Sequence, residues 1–381
     1  MPSLARLLAT LAPVLPPAGA DAPRVESWSP SRRLLVQRGD AELVVQELAG
    51  PVGGRPPAPP VRIPAPWPRR FGRCAVAPSG DVAVFSGVHA LTAVDRTGAV
   101  RWEVRHRCWA GCASHDTFEE YAHDRGHRYA SGGSAAFSAD GALVWAHVRG
   151  PLERNGHERD GHGRNGHERA AGAEEWLVVD AADGRILARA ATGSTAAGSV
   201  HVPHVDPGQM GLSIGEGQDG APLRWGRWDG ERLSVDSFAG EDLVLSAVSP
   251  GGARLLTVTH GQEALVAHRL VDCADPEPEA ELRAEEVIPR HPEADPDDAE
   301  VEAFWDYEAG FLDEHTVIAG TVESDEESGA GRYWIVDLAR RGTAEPLVHP
   351  YPVTGTARAL GDGTWYTVSP TDHVVRIWGL R

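Results

Sequence analysis

Residues 74–87, CAVAPSGDVAVFSG, hold two short apolar runs on either side of the turn APSGD. Each run has the length of a typical strand, and Pro, Asp and Gly are residues that tight turns favour. Few windows elsewhere sustain the i, i+3, i+4, i+7 apolar spacing of an amphipathic helix. The stretch therefore predicts a β-hairpin in a chain of many short strands.

The same hairpin recurs along the chain. Six further copies are SWSPSRRLLVQ, AAFSADGALVWAHV, PHVDPGQMGLSIG, LSAVSPGGARLLTVT, AGFLDEHTVIAGT and ARALGDGTWYTVS. The aligned turn residues are Arg32, Gly80, Gly141, Gly208, Gly252, His315 and Gly363. They stand 44 to 67 residues apart, which is the length of one four-stranded unit with a loop of variable length. Seven such units are predicted.

The two ends of the chain complete the last unit. The final hairpin is followed by one more apolar run, HVVRIWGL, so its unit lacks a fourth strand. The N-terminal segment, residues 1–23, can supply that strand. It can also form a short amphipathic helix, because Leu4, Leu7, Leu8 and Leu11 recur at helical spacing. A closing strand would leave no exposed sheet edge.

With these repeats, residues 24–381 resemble the WD-repeat-like and quinoprotein-like β-propellers. The resemblance rests on strand and turn texture, because Trp228-Asp229 and Trp305-Asp306 do not lie where the WD-repeat family has its Trp-Asp pairs. It implies an all-β fold, a seven-bladed β-propeller of four-stranded antiparallel blades, with the ring closed by the N- and C-terminal segments. It also implies a functional surface on one face, but no particular reaction.

Three long insertions are expected to build that surface: residues 105–133, 149–174 and 274–308. All belong to loops that join strands two and three of a blade, or strand four to the next blade, and such loops share one side of the disc. Binding residues concentrate on loops that a rigid scaffold carries. The residues that we expect to bind there are His115, His123, His127, His201, His204, Trp305, Asp306 and Tyr307.

The first insertion contains the most ligand-like residues of the chain, Cys108, Cys112, His115, His123 and His127. Thiolate and imidazole are ligands that zinc and copper prefer. The spacing C-x3-C-x2-H differs from zinc-finger patterns, so a disulfide and an inert loop are alternatives. Cys108, Cys112 and His115 are thus the candidate metal ligands, with Zn or Cu as the ion.

The second insertion contains NGHERDGHGRNGHER, residues 155–169, with His157, His162 and His167 at a spacing of five. That spacing serves neither one helix face nor one strand face. Glycine and charged residues surround each histidine, so nothing apolar is available to bury. We interpret the stretch as a solvated insert with weak metal binding as the alternative.

Two further segments carry candidate binding residues. In HVPHVD, His201 and His204 open the first strand of a blade, and alternation lets one of them face the central channel. A structural histidine that bonds the backbone is the alternative. The third insertion has 14 Asp and Glu against two Arg and ends in Phe304-Trp305-Asp306-Tyr307. It predicts a solvated acidic loop or a lid over the channel mouth.

Charge and composition limit the classes of partner. The net charge of −19 argues against nucleic acid, whose phosphates need clustered Lys and Arg. The sequence contains no run of about 18 apolar residues, so no membrane span is predicted. Pro13 and Pro16 interrupt the N-terminal apolar stretch, so we expect a cytoplasmic protein, with secretion as the alternative if residues 1–20 are a signal peptide.

These patterns favour a binding module. The predicted propeller takes a protein, peptide or small-molecule ligand on the insertion-bearing face over the channel, because the sequence offers no convincing nucleophile–base pair or metal-ligand signature. The alternative is a propeller enzyme, a lyase or hydrolase that uses His and carboxylate residues at the channel mouth with or without a metal. No cofactor is predicted besides the candidate Zn or Cu.

Overall fold

The structure, a computed structural model, describes residues 2–29, 32–48, 59–112, 114–129, 132–150, 152, 174–238, 242–270, 278–292, 294, 297, 302–323, 331–340 and 343–381. The repeated His157, His162 and His167 lie outside these residues, as does Cys273. None of the helices in the described ranges is long and apolar enough to cross a membrane.

Strands dominate the described residues. In chain order they are β1 (Ser3–Leu11), β2 (Arg24–Ser29), β3 (Arg32–Arg38), β4 (Glu42–Leu48), β5 (Val61–Pro64), β6 (Gly72–Val76), β7 (Val82–Gly87), β8 (Ala90–Asp95), β9 (Val100–Arg105), β10 (Ala135–Phe137), β11 (Leu143–Arg149), β12 (Glu174–Asp180), β13 (Ile186–Ala191), β14 (Gly198–Pro203) and β15 (Gln209–Gly215). They continue with β16 (Leu223–Trp228), β17 (Leu233–Ser237), β18 (Leu243–Val248), β19 (Arg254–Thr259), β20 (Ala264–Arg269), β21 (Pro278–Arg283), β22 (Ala303–Trp305), β23 (Gly310–Phe311), β24 (Thr316–Glu323), β25 (Tyr333–Asp337), β26 (Thr343–Val348), β27 (Arg358–Ala359), β28 (Thr364–Val368) and β29 (Val375–Leu380).

Helical segments are short. An α-helix, α1, spans Ala284–Val287, and 3-10 turns occupy Pro17–Gly19, Arg69–Phe71, Phe118–Glu120, Arg125–His127, Gly217–Asp219 and Leu338–Arg340.

Five sheets contain four strands each in sequence order: β2–β5, β6–β9, β10–β13, β14–β17 and β18–β21. Neighbouring strands within them pair antiparallel, as β6, β7, β8 and β9 do. The other strands form a nine-stranded sheet in the order β22-β24-β25-β26-β1-β29-β28-β27, with β23 also beside β24. The predicted all-β propeller of four-stranded antiparallel blades is confirmed.

The nine-stranded sheet is joined at one short contact. β1 pairs in parallel with β26 at two positions, Ser3↔Leu347 and Leu4↔Val348. It pairs antiparallel with β29 from Ala5 to Leu11. Division at the parallel contact would give seven blades, the number that the repeat predicts.

The N-terminal segment closes the ring as a strand. Burial along β1 alternates residue by residue, which is the period of a strand and not of a helix. The amphipathic helix that the leucine spacing allows is therefore not the conformation adopted. Pairing with β29 decides this, because it satisfies the backbone of both chain ends.

Apolar clusters fill the spaces between consecutive blades. In β7, Ala83 and Phe85 pack toward the first blade, whereas Val84 packs toward the third. Alternate residues of a strand point to opposite faces, so strands inside a blade are buried on both sides and read as continuous apolar runs. A last cluster joins Ile377 of the final blade to Leu35 of the first, which seals the ring.

Three of the turns that define the repeat share one geometry. Gly80, Gly141 and Gly252 have φ values of +77°, +76° and +77°. Glycine adopts this left-handed conformation at little cost. Each donates its N–H to the carbonyl oxygen three residues earlier, at 2.8 or 2.9 Å.

The irregular part of the third insertion, residues 274–308, is shorter than the sequence suggests. Pro278–Arg283 form β21, the fourth strand of the fifth blade. Leu282 is buried while Glu281 and Arg283 are exposed. The many carboxylates conceal this period of two, because they occupy its solvent side.

Candidate functional site

The insertion 105–133 leaves the end of β9 and crosses two blades. The His106 N–H donates to the His89 carbonyl, between β7 and β8, at 2.9 Å. The Arg107 N–H donates to the Arg149 carbonyl, at the end of β11, at 3.0 Å. Backbone hydrogen bonds therefore hold the insertion to the second and third blades.

Two thiols and two imidazoles converge in this insertion. One ligand atom from each of Cys108, Cys112, His115 and His127 lies within 4.8 Å of the other three. Cys112 Sγ is 3.0 Å from His115 Nε2 and 3.2 Å from His127 Nε2. The two Nε2 atoms are 3.1 Å apart. We call these four residues the thiol–imidazole cluster.

The cluster is larger than the three ligands named from the sequence. His127 joins Cys108, Cys112 and His115, while His123 is exposed and lies outside. Cys108 and His127 are buried, whereas Cys112 is at the surface. Both cysteines are free thiols, so the disulfide alternative is not adopted.

Glu120 fixes the orientation of His115. Its Oε1 accepts from the N–H groups of Asp116 and Thr117 at 3.0 and 3.2 Å, in a capping box on Phe118–Glu120. Its Oε2 lies 3.1 Å from His115 Nδ1. The hydrogen bonds from His115 and from the backbone lower the pKa of Glu120.

Asp124 fixes the orientation of His127. Its Oδ1 accepts from the Gly126 N–H at 2.8 Å, at the start of the Arg125–His127 turn. Its Oδ2 lies 2.7 Å from His127 Nδ1. The Gly126 N–H and the imidazole lower the pKa of Asp124, which is therefore an acceptor.

Tyr121 packs against the two imidazoles of the cluster. Its ring stacks on His127 at a centroid distance of 5.0 Å and tilts against His115 at 4.9 Å. Its hydroxyl lies 2.5 Å from His89 Nδ1, on the second blade. Burial raises the pKa of Tyr121, so the phenol keeps its proton. The cluster thus lies on aromatic packing between the insertion and the blade.

A cavity of about 540 Å³ opens beside the insertion. Its lining includes Arg69, Arg70 and Arg73, which lead into or begin β6, and Tyr129, Gly132 and Gly133 of the insertion. A second cavity of about 700 Å³ runs along the first strands of the blades and shares Arg69 and Arg73 with the first. We call the two together the channel-mouth cavity.

Arginines outnumber carboxylates in this cavity. Its lining includes Arg24, Arg38, Arg69, Arg70, Arg73 and Arg358, against Asp21, Glu26 and Asp40. Arg69 pairs with both aspartates, at 3.0 and 3.4 Å. The channel mouth is therefore positive in a chain whose net charge is −19.

Two of these arginines have uncommitted donors. In the part of the chain that the structure describes, neither Arg70 nor Arg73 has an ion-pair partner, and the buried Nε of Arg70 has no hydrogen-bond partner. Arg73 Nη1 donates to the Ser199 carbonyl at 3.0 Å, which stretches the side chain across to β14.

His201 and His204 are both buried and bonded. The Trp176 indole donates to His201 Nε2 at 2.9 Å, so His201 Nδ1 carries the proton and donates to Ser134 Oγ at 2.8 Å. Burial lowers the pKa of His201 to about 3. The Asp206 N–H donates to His204 Nδ1, and His204 Nε2 donates to the Gly252 carbonyl, both at 3.0 Å.

The aromatic end of the third insertion packs inward. Trp305 is fully buried between the fifth and sixth blades, and its indole donates to the Leu282 carbonyl at 2.8 Å. The Tyr307 hydroxyl donates to the His260 carbonyl. Asp306 is half-buried, and burial raises its pKa. The structure does not bring these three together with His115 and His127.

Two groups of site residues escaped the sequence reasoning. Thr117-x-x-Glu120 is a capping-box pattern that could have located the first orienting carboxylate. Arg24, Arg73 and Arg358 all stand at the start of a blade's first strand, so alignment of the repeats could have shown that they meet in the channel.

Comparisons with known proteins identify the fold. No protein-family model and no curated protein sequence matches the chain. Among solved structures, the β-propeller domain of Cps50 (Swd1) from Myceliophteria thermophila is similar with a TM-score of 0.55 at 11% identity, over 98% of this chain and 100% of that chain. A prolyl endopeptidase is similar with a TM-score of 0.51 at 10% identity, over 95% of this chain and 50% of that chain.

BamB from Moraxella catarrhalis matches with a TM-score of 0.44 at 13% identity, over 98% of this chain and 97% of that chain. At such identities the likeness concerns the fold alone. The β-propeller architecture that the repeats predict is confirmed by the similarity to the Cps50 (Swd1) domain, and the chain folds as a β-propeller.

Proposed function

We propose that the protein is a binding module whose channel-mouth cavity receives the carboxylate groups of an acidic segment in a peptide or protein partner. One observation carries this proposal: Arg70 and Arg73 line a cavity of about 540 Å³ in a strongly acidic chain, and neither has an ion-pair partner among the described residues. Guanidinium groups are suited to carboxylates because they offer paired N–H donors in a fixed plane.

Charge supports specificity as well as affinity. An acidic surface repels acidic partners everywhere except where a positive cavity attracts them, so the cavity would select the docking position. The insertion contributes Tyr129, a residue that is 83% exposed and whose backbone has a φ of +60°. Left-handed backbone is uncommon for a bulky residue, and such strain concentrates at functional sites. An exposed tyrosine beside arginines suits a peptide interface.

The buried histidines favour binding over hydrolysis. His201 contacts Ser134, but its Nδ1 already carries the proton, so it cannot take one from the hydroxyl. Both nitrogens of His204 are engaged with backbone groups. Neither residue is placed to act as a general base on a ligand in the channel.

Peptide selection tests this function. A library of short random peptides would be selected against the full chain, and the affinity of selected peptides measured by fluorescence anisotropy. We expect enrichment in Asp and Glu. Each lost hydrogen bond to a charged group costs about 1.5–3 kcal/mol, so R70A/R73A should bind at least about 100-fold more weakly.

The double variant R185A/R340A is the matched control. Both residues are exposed, in turns between the third and fourth strands of their blades, and their removal changes the net charge equally. It should retain nearly full affinity. Selected peptides without acidic enrichment, or equal losses in the two double variants, would show that the cavity does not recognise carboxylates.

A further inference from the structure

We propose that Cys108, Cys112, His115 and His127 bind one zinc ion in a closed site that holds the insertion 105–133 in its fold. The four ligand atoms come from one stretch of chain and converge within 4.8 Å. Two thiolates and two imidazoles in a tetrahedral arrangement are a ligand set that selects zinc.

The distances agree with a tetrahedral ion. Zinc lies about 2.3 Å from sulfur and about 2.0–2.1 Å from nitrogen, which separates sulfur from nitrogen by about 3.5 Å and the two nitrogens by about 3.3 Å. The corresponding distances here are 3.0, 3.2 and 3.1 Å. The ligand atoms of Cys112, His115 and His127 need to move apart by only a few tenths of an ångström to admit the ion, and Cys108 Sγ lies within 4.8 Å of all three.

Hydrogen bonding of the outer imidazole nitrogens points to the same conclusion. Glu120 and Asp124 are acceptors, so the Nδ1 atoms of His115 and His127 must donate to them. A neutral imidazole that is protonated on Nδ1 presents a lone pair on Nε2. Two such lone pairs 3.1 Å apart repel each other unless a proton or a metal ion lies between them, and the two thiols beside them make this a metal-ligand set. Carboxylates that orient metal-binding histidines in this way are a regular feature of zinc sites.

Four protein ligands leave no position open for water or substrate, so the ion is structural. Binding Zn²⁺ forms two Zn–S and two Zn–N bonds and releases the two thiol protons to solvent. With two thiolates and two neutral imidazoles the site has no net charge, which suits the buried positions of Cys108 and His127.

The insertion needs such a link because it buries little apolar surface of its own. Trp109 and Tyr121 are buried, but most residues between 110 and 129 are exposed or half-buried. His127 stands two residues before Tyr129, and Tyr129 lines the channel-mouth cavity. Zinc would therefore shape that wall. Its effect on peptide binding rests on the proposed function, whereas the metal site itself is independent of that function.

Metal analysis of the full chain tests the inference. After reconstitution with zinc and removal of free ion, we expect one zinc per chain, released when a thiol-specific mercurial is added and detected with a metallochromic indicator. Replacement by Co²⁺ should give thiolate-to-cobalt charge-transfer absorption and the visible bands of a tetrahedral ion. These readouts need no ligand, so they fail or succeed independently of peptide binding.

Variants assign the ligands. C112S and H115A should each lose the bound zinc and the tetrahedral cobalt spectrum, while circular dichroism verifies that the propeller is folded. The controls are C74S, which alters a free cysteine of β6, and H123A, which alters the exposed histidine next to the cluster. Both should keep one zinc per chain.

Three results would overturn the assignment. They are a reconstituted wild-type chain without bound zinc, a cobalt spectrum that survives C112S, and tight binding of copper(I) in the absence of zinc binding.

Discussion

His201 is a candidate binding residue that is instead buried and hydrogen-bonded within the fold. It stands in β14, but its ring is buried against Trp176 and Ser134, and Val200 is the exposed neighbour. Burial, with a smaller effect of the nearby His147, lowers the pKa of His201 to about 3. The folded protein therefore keeps this imidazole neutral at pH values where an unfolded chain would protonate it.

Acid should weaken the fold through this residue. Between the unfolded pKa of about 6.5 and the folded value of about 3, the unfolded chain binds a proton that the folded chain does not, so the free energy of unfolding falls as the pH falls. The slope from one such residue is about 1.4 kcal/mol per pH unit. H201Q keeps a donor and an acceptor but cannot titrate, so its urea-unfolding free energy should depend less steeply on pH below about 6. Equal slopes in variant and wild type would contradict this role.

Substitution of Gly252 tests how tightly a repeated turn packs against the neighbouring blade. An added Cβ would stand 2.3 Å from His204 Nε2, and the φ of +77° is unfavourable for alanine. G252A should lower the free energy of unfolding by about 1 kcal/mol from backbone strain and by a further 1–3 kcal/mol from the clash. Gly217 has a φ of +70° and open space around it, so G217A should show the strain alone. Similar losses in both variants would mean that blades do not pack tightly at this turn.

At the residue scale, the sequence predicted the chemistry of the thiol–imidazole cluster better than its membership. C-x3-C-x2-H pointed to three of the four residues that converge, but His123 and His127 look equivalent in the sequence. The Asp124 cap turns His127 inward and leaves His123 exposed, which spacing alone does not reveal.

Strand β1 is the element that completes the sheet at the junction of the chain ends. It carries buried Ala5 and half-buried Leu7 and Leu11 against the last blade. The sequence predicted a missing fourth strand because HVVRIWGL ends the chain one strand early. It could not decide between strand and helix, because leucines at 4, 7, 8 and 11 also fit a helix, and only the partner strand resolves the choice.

Removal of residues 1–12 should therefore expose the edge of β29 and its apolar contacts. We expect a loss on the order of 3 kcal/mol in unfolding free energy, seen as a lower Tm in thermal denaturation. A synthetic peptide of residues 2–12 should bind the shortened chain and restore the Tm, whereas a scrambled peptide should not. An unchanged Tm after deletion would contradict closure by this strand.

For the whole molecule, the ring brings together residues that are far apart in the sequence. Arg24, Arg73 and Arg358 belong to β2, β6 and β27, and they meet only because first strands surround one channel. A net charge of −19 suggests an acidic surface throughout, and the positive channel mouth cannot be found from composition. This is the physical reason that local turns predicted the fold, whereas the arginines of the channel mouth were not predicted.

The structure of the full chain in complex with its tightest selected acidic peptide tests the proposed binding surface most directly. We expect peptide carboxylates within hydrogen-bond distance of the Arg70 and Arg73 guanidinium groups, with the peptide against the insertion 105–133. A peptide bound on the opposite face, beside the turns of Gly80, Gly141 and Gly252, would contradict the assignment of the channel mouth as the binding site.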